Sequence, residues 1–319
     1  MTKTWTEVNS KSPPKFTRKS ERARTGMYAA QRRAPYWLIA PAVILMAVFI
    51  AVPVVSVGVY SLFRWNVSKP WATEFLGLDN FRVIFTEDPE FWGILLTTVW
   101  WVGASVSLQF VLGLALALLL NQAFRGRSFV RSLSFAPWAI SGVLATQIWL
   151  LIYNPATGIA SVLQNIGISN DFAPLVGQES AFWAAVIAEL WRGLPFFTII
   201  LLADMQSIPA DLYEAAKVDG ATRWQEFRHI TVPYLKQAII LTTLLRAVWE
   251  FNNVDLLYPL TGGGPAGATT TLPLYIVNEA ITGRNFGYGS ALTVVGFVIL
   301  AIFSVLYLRL TRGSRGEEQ

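Results

Sequence analysis

The sequence predicts an all-α, polytopic membrane protein with six transmembrane helices, and three observations lead there. The 319 residues are 54% hydrophobic and 14% charged, where soluble domains carry about a quarter charged residues. Apolar runs of the length needed to cross a bilayer, about 20 residues, recur along the chain. Lys and Arg gather in every second connection, as the positive-inside bias of short loops requires.

Composition also removes several chemistries. The chain has no cysteine, which excludes disulfides, thiolate metal sites and a thiol nucleophile. Its one histidine, His229, leaves little room for a histidine metal cluster or a catalytic triad. The formal charge of +5 does not point to nucleic acid, because no basic-aromatic module accompanies it. Lys3, Lys11, Lys15, Arg18, Lys19, Arg22, Arg24, Arg32 and Arg33 crowd ahead of the first apolar run, where a cytoplasmic flank is expected. Residues 1–35 are therefore expected to be a disordered cytoplasmic tail, 36–310 the transmembrane domain and 311–319 a second cytoplasmic tail.

The first run, Trp37 to Phe63, is uncharged. A cleaved signal peptide has a shorter apolar core and a small-residue cleavage site, so a permanent span kinked at Pro53 is expected. The second span falls within Trp92 to Leu120. The third begins after Arg131 and runs to about Tyr153, where Asn154-Pro155-Ala156-Thr157-Gly158 supplies a turn. A fourth covers Ala181 to Ala203 and contains Glu189 and Arg192. A fifth covers Ala238 to Tyr258 and contains Arg246, Glu250 and Asp255. The sixth, Ser290 to Leu308, is uncharged.

Orientation follows from the loops. Arg125, Arg127 and Arg131 lie between spans two and three, and Lys217, Arg223, Arg228 and Lys236 between four and five. Arg309, Arg312 and Arg315 follow span six. The alternate loops are poor in Lys and Arg: none lies between Asn154 and Ser180, and only Arg284 between Pro259 and Gly289. Arg64, Lys69 and Arg82 stand among Glu74, Asp79, Glu87, Asp88 and Glu90. Both termini are expected on the cytoplasmic side.

The polar stretch from 204 to 236 is longer than a plain helix-helix connection. Pro209 opens a helix, Leu212, Tyr213, Ala215 and Ala216 give it an apolar side, and Gly220 stops it. Thr222 and Gln225 form a capping box for a second short helix bearing Trp224 and Phe227, which Pro233 is expected to end. From residues alone, an amphipathic pair lying on the lipid surface is the alternative reading of such an elbow.

Ionisable side chains at membrane depth need a partner or a wet cavity. Arg246, Glu250 and Asn253 follow one helical face, and Glu189, Arg192 and Phe196 line another. An internal ion-pair network and a midplane site for a hydroxyl-rich solute both account for them. The stretch Leu260-Thr261-Gly262-Gly263-Gly264-Pro265 lacks the Gly-Lys-Ser/Thr ending of a phosphate-binding loop, so no nucleotide site is expected there.

Glu214-Ala215-Ala216, Asp219-Gly220-Ala221, then Phe227, Ile230 and Pro233, preceded by Ile208-Pro209, resemble the cytoplasmic signature of permease subunits in binding-protein-dependent ABC importers. Val232 and Gln237 depart from it, standing where leucine and a second proline are usual. The glycine stretch with Ala268-Thr269-Thr270-Thr271-Leu272-Pro273-Leu274-Tyr275, together with Leu78-Asp79-Asn80-Phe81 and Tyr153-Asn154-Pro155 with Gly158, is similar to the maltose-permease-like branch, which includes permeases for oligosaccharides and glycerol phosphate.

The resemblance implies the type I ABC importer transmembrane fold in a bacterial inner membrane. It implies that Glu214, Ala215, Ala216, Asp219, Gly220 and Ala221 form a coupling helix gripped by an ATPase subunit. Trp138, Gly142, Glu189, Arg192, Gly193, Phe196, Arg246, Glu250 and Asn253 are implied to face a carbohydrate: an oligosaccharide, a monosaccharide derivative or glycerol phosphate. Implied partners are a second permease, two ATPase subunits and an external solute-binding protein. No cofactor is expected in this chain, with ATP and Mg belonging to the ATPases, and the chain itself is not an enzyme. Two other readings stand beside this one. A stand-alone proton-coupled transporter would use Glu189, Glu250 or Asp255, but no repeated halves are visible. An enzyme acting on lipid-linked sugar would need a nucleophile-base arrangement, which is missing.

Overall fold

The computed structural model describes residues 38–167 and 173–313. The expected N-terminal tail and residues 314–319 of the C-terminal one lie outside the described residues, as does Trp37 at the start of the first expected span. The chain divides into two units between Ser56 and Val57. Residues 38–56 form most of helix α1 (Leu38–Tyr60). Its π turn, Ala47–Ala51, closes with the Val52 N–H on the Ala47 carbonyl, one residue before Pro53. Proline cannot donate to the helical ladder, and a wider turn beside it takes up the break.

The second unit begins with a small hairpin, β1 (Phe63–Arg64) against β2 (Glu74–Phe75). Helix α2 (Asp79–Thr86) follows. Its buried Asn80 donates to the carbonyls of Ser61 (2.8 Å) and Phe63 (3.1 Å), which is the structural work of the Leu78–Phe81 motif. Helix α3 (Phe91–Asn121) is uncharged and long. The expected third span is two helices, α4 (Arg127–Ala139) and α5 (Gly142–Tyr153), bent by 102°. Pro137 removes a donor inside α4, Ile140 turns extended, and the Ser141 hydroxyl accepts the Leu144 N–H to start α5 afresh. Short α6 (Ile159–Asn165) precedes α7 (Gln178–Met205).

The elbow comprises α8 (Ala210–Val218) and α9 (Arg223–Glu226). Contrary to expectation, Pro233 does not end the second piece. A π turn at Phe227–Thr231 runs on into α10 (Val232–Phe251), with Pro233 in the first turn of that helix, where a missing N–H is tolerated. Helix α10 also stops before Asp255. Asn252 closes it, and a bend leads to α11 (Leu257–Thr261). Helices α12 (Leu272–Val277) and α13 (Phe286–Gly313) are the last among the described residues.

Four described helices, α1, α3, α7 and α13, are long and apolar enough to cross a membrane, and a bent α4–α5 pair would make five. The expected fifth span, α10, has 20 residues, but Lys236, Arg246 and Glu250 dilute its apolarity. Six spans are therefore not recovered on length and composition alone.

The core lies along α3, α7 and α10. Val106, Ala117 and Leu120 meet Phe196, Phe197, Leu201, Leu235 and Ala247. The backbones of α3 and α7 approach closely at Gly113, where a Cβ would stand 2.6 Å from Phe197 Cβ; small residues permit such crossings in membrane bundles. A second cluster joins Trp101, Tyr153, Ala184, Ala188 and Leu257, and the Tyr153 hydroxyl donates to the Ala184 carbonyl at 2.8 Å.

Candidate functional site

The charged residues of α7 and α10 meet across the core. Arg246 Nη2 lies 2.6 Å from both Glu189 Oε1 and Glu250 Oε1. Glu189 Oε2 takes Arg192 Nε and Nη2, each at 2.9 Å. One carboxylate therefore bridges two guanidiniums. Glu189 has 0% of its side chain exposed, Arg246 7% and Arg192 21%.

Helix α3 adds the residue that sequence reasoning missed. Gln109, fully buried, accepts from Arg246 Nε at 2.6 Å and donates to Glu250 Oε1 at 2.9 Å and to the Glu189 carbonyl at 3.3 Å. A lone glutamine in an otherwise apolar span was the available signal. Asn253 Nδ2 donates to Glu250 Oε2 at 3.1 Å, and Trp101 Nε1 to the Glu250 carbonyl at 3.2 Å. Gly193 is needed for room, since a Cβ there would stand 2.3 Å from Arg246 Nη2 and 2.5 Å from the Gln109 amide. An ion buried in hydrocarbon is costly unless paired and hydrogen-bonded, and here each charge of the network is both.

One side of this network faces a cavity of about 390 Å³ lined by Trp138, Ile140, Arg192, Arg246, Trp249, Asn252 and Asp255. The α4–α5 bend puts Trp138 on its wall. Gly142, just past the bend, abuts Arg192 Nη1 and Asp255 Cβ, which a Cβ would approach to 3.1 and 3.2 Å. Phe196 lies 6.0 Å from the Arg246 guanidinium and packs on Trp249 at 5.1 Å. Of the nine expected solute residues, Trp138, Arg192 and Arg246 line the cavity and Gly142 and Phe196 adjoin those walls. Glu189, Gly193, Glu250 and Asn253 stand behind. Trp249, Asn252 and Ile140 were not anticipated, and Asp255 was expected inside a helix rather than on a wall.

The elbow is built differently. Helix α8 buries none of its residues, and Val218 is 88% exposed. It ends in a paired cap: Gly220, at φ +78°, donates to the Lys217 carbonyl at 3.1 Å, and Ala221 to the Ala216 carbonyl at 2.9 Å. Thr222 and Gln225 complete the expected capping box. The Tyr213 hydroxyl meets Thr231 Oγ1 at 2.9 Å, tying α8 to the π turn. Glu214 and Ala221 border a hollow of about 1100 Å³ that also touches Leu118, Met205, Trp224 and Phe227, while Ala215 and Asp219 are exposed and Ala216 is half-buried.

At the opposite end of α3, Asp88 Oδ2 accepts from the hydroxyls of Tyr275 (2.9 Å) and Tyr288, and Oδ1 from the amides of Glu90 (2.9 Å) and Phe91 (3.2 Å). Burial pushes this carboxyl up, but the four donors together hold it below its ordinary value. Glu279 nearby is pushed up by burial and by the charges of Asp88 and Glu90. The glycine stretch folds on itself, with Thr269 Oγ1 donating to the Gly264 carbonyl (2.9 Å) and Thr270 Oγ1 to that of Gly263 (3.1 Å). No group of three or more metal-ligating side chains occurs among the described residues.

Residues 109–316 match the family described as the binding-protein-dependent transport system inner membrane component. The trehalose/maltose transport system permease protein MalF of Thermococcus litoralis is 38% identical over 281 residues, covering 88% of this chain and 94% of that protein. The trehalose transport system permease protein SugA of Mycobacterium tuberculosis is 35% identical over 288 residues, covering 90% and 92%. A chain in the crystal structure of a bacterial ABC transporter involved in the import of the acidic polysaccharide alginate has a TM-score of 0.78 at 22% identity, covering 92% of this chain and 99% of that one, a likeness of fold.

Proposed function

Because the chain belongs to the binding-protein-dependent transport system inner membrane components, we propose that it lines half of the passage of an ATP-driven importer for a carbohydrate-like solute. The trehalose/maltose and trehalose transport systems to which those relatives belong support the solute class. A second permease completes the passage, two ATPase subunits bind and hydrolyse ATP with Mg, and an external binding protein delivers the solute. The chain itself performs no covalent chemistry and holds no cofactor. Residues 36–310 form the membrane domain with both termini cytoplasmic, flanked by the tails 1–35 and 311–319. The elbow, within 204–236, faces the ATPases.

The observation that carries this reading is that one helix serves both ends. Helix α10 takes up the elbow at Val232, directly after the Phe227–Thr231 π turn, and carries Arg246, Trp249 and Glu250 in its last two turns. Its 20 residues span about 30 Å at 1.5 Å per residue. A push on α8 at Glu214, Ala215, Ala216 and Asp219 therefore reaches the cavity through a rigid rod, with Gly220 and Ala221 fixing the angle. On closure of the ATPases, α10 tilts and the cavity changes the side to which it opens. Trp138, Gly142, Arg192, Phe196 and Arg246 meet the solute, and Glu189, Gly193, Glu250 and Asn253 hold them in place.

The test uses the absence of cysteine. A single cysteine replacing Glu214 should cross-link to a nucleotide-hydrolysing subunit in native vesicles, with a yield that changes when ATP binds. A chain that inserts normally yet never captures such a subunit defeats the reading.

A further inference from the structure

The arginines do not leave the cavity positive. Glu189 sits between them with one oxygen on each, and Glu250 holds Arg246 a second time. Gln109 occupies Arg246 Nε and the Oε1 of Glu250 that Arg246 Nη2 also uses. A solute therefore meets guanidiniums whose charge is already paired from behind. On the wall itself stands Asp255, close to Arg192 across Gly142 but forming no salt bridge with either arginine among the described residues. Arg192 and Arg246 face three carboxylates, those of Glu189, Glu250 and Asp255.

An anionic solute would have to pull an arginine from a buried pair, leaving a carboxylate uncompensated, or accept Asp255 as a like-charged neighbour. An uncharged, hydroxyl-rich ring needs neither. It can take hydrogen bonds from guanidinium edges that point into the cavity, use the amide of Asn252 as donor and acceptor, and lie against the indole faces of Trp138 and Trp249.

Resting on the reading of this cavity as the solute site, we propose that Gln109 and Asp255 set the charge class of the solute, so that this half of the passage takes an uncharged hydroxylated ring and excludes an anionic one. Asp255 acts directly, as a negative charge on the wall. Gln109 touches no part of the cavity and is a positioning residue. Its amide offers an acceptor to Arg246 and a donor to Glu250 at once, which fixes the guanidinium plane without adding charge.

The experiment uses the importer assembled with its partner subunits in nanodiscs, without the external receptor, whose own selection would mask that of the cavity. Equilibrium binding is measured for trehalose and for a disaccharide of similar size ending in glucuronate. Trehalose should bind at least roughly tenfold more tightly, as like-charge juxtaposition requires. Asp255→Asn should tighten the uronate alone. Gln109→Met should weaken trehalose while tightening the uronate, because Arg246 Nε is released, whereas loosened packing would weaken both; Gln109→Asn, which keeps an amide, should fall between. Equal or tighter binding of the uronate by the unaltered importer, or a ratio that neither substitution moves, overturns the proposal and leaves the carbohydrate reading standing. If neither sugar binds to an assembled importer that still hydrolyses ATP, the reading of this cavity as the solute site fails and this proposal falls with it.

Discussion

Around Arg246, side chains from α3, α7 and α10 hold one another in a water-poor interior, whereas α8 of the elbow buries none of its residues and takes its shape from its own caps. The interior is held together by mutual need: each charge is tolerable only because the others are in place. The elbow depends on neighbours in sequence and presents its surface outward. Stability should therefore concentrate in the first region and mechanical contact in the second, and substitutions ranked by their effect on stability test that division.

The largest effect belongs to the network. Glu189→Ala takes a partner from both Arg192 and Arg246 and should cost about 3–5 kcal/mol, the usual result of stranding a buried charge. It is read as a lowered midpoint of thermal unfolding of the purified protein in detergent. Replacing Glu189, Arg192, Arg246 and Glu250 together by apolar residues of similar size should recover most of the loss, because no charge of the network is then left unpaired. A single substitution as mild as a surface change would mean that the network does not hold the three helices.

The Asp88 clamp comes next and adds a pH dependence. Asp88→Ala should cost about 1.5–3 kcal/mol, as for a hydrogen bond to a charged group, by releasing Tyr275 and Tyr288. The folded value of Asp88 lies below its ordinary 3.8. Its contribution is therefore complete above the unfolded value and is lost as pH falls through the folded one, below about pH 4. Glu279 has the opposite sign, since its folded value is raised: acidification first neutralises it and relieves its repulsion with Asp88 and Glu90. The protection of amides 87–91 and 275–282, taken relative to the unfolded chain at the same pH, should thus rise slightly on mild acidification and then fall sharply.

These regions differ in how legible they are. The elbow could be read because its signals are local: Gly220 takes a positive φ, and Thr222 meets Gln225 three residues on. Only the role of Pro233 was misjudged, since a proline that ends one helix and one that sits in the first turn of the next look alike in sequence. The charged faces of α7 and α10 were also visible, but the way they meet was not. Gln109 lies 80 positions from Glu189, 137 from Arg246 and 141 from Glu250, and nothing local says that an amide in an apolar span will find them. The α4–α5 bend was hidden for a related reason. The apolar pattern runs through Ile140, and only Pro137 with the Ser141 cap breaks it.

A smaller effect separates the caps from the contact they serve. Thr222→Ala removes the hydroxyl that accepts the Gln225 N–H and should cost about 1 kcal/mol, the typical value of an N-cap, with unfolding of α9 measured by exchange of its amides. Uptake should fall only in part, since Tyr213 still ties α8 to Thr231. If uptake vanished with so small a loss, α9 itself would belong to the proposed coupling surface.

The smallest effect on stability should accompany the greatest loss of function. Glu214 is exposed on α8 and makes no salt bridge within the described residues, so Glu214→Lys should shift unfolding by no more than about 0.5 kcal/mol, as for ordinary surface changes. Under the proposed coupling it reverses the charge offered to the ATPase cleft. Insertion and the thermal midpoint should stay as in the unaltered protein, while uptake and receptor-stimulated ATP hydrolysis fall to background. Gly220→Pro should lose transport too, but with a measurable stability cost: it puts a residue fixed at φ near −65° where +78° is needed, and it removes the N–H bonded to Lys217. If Glu214→Lys transports normally while Gly220→Pro does not, the elbow matters only as a joint that sets the angle of α10. If both transport normally, α8 is not where force enters, and the link from elbow to cavity through α10 has no mechanical meaning.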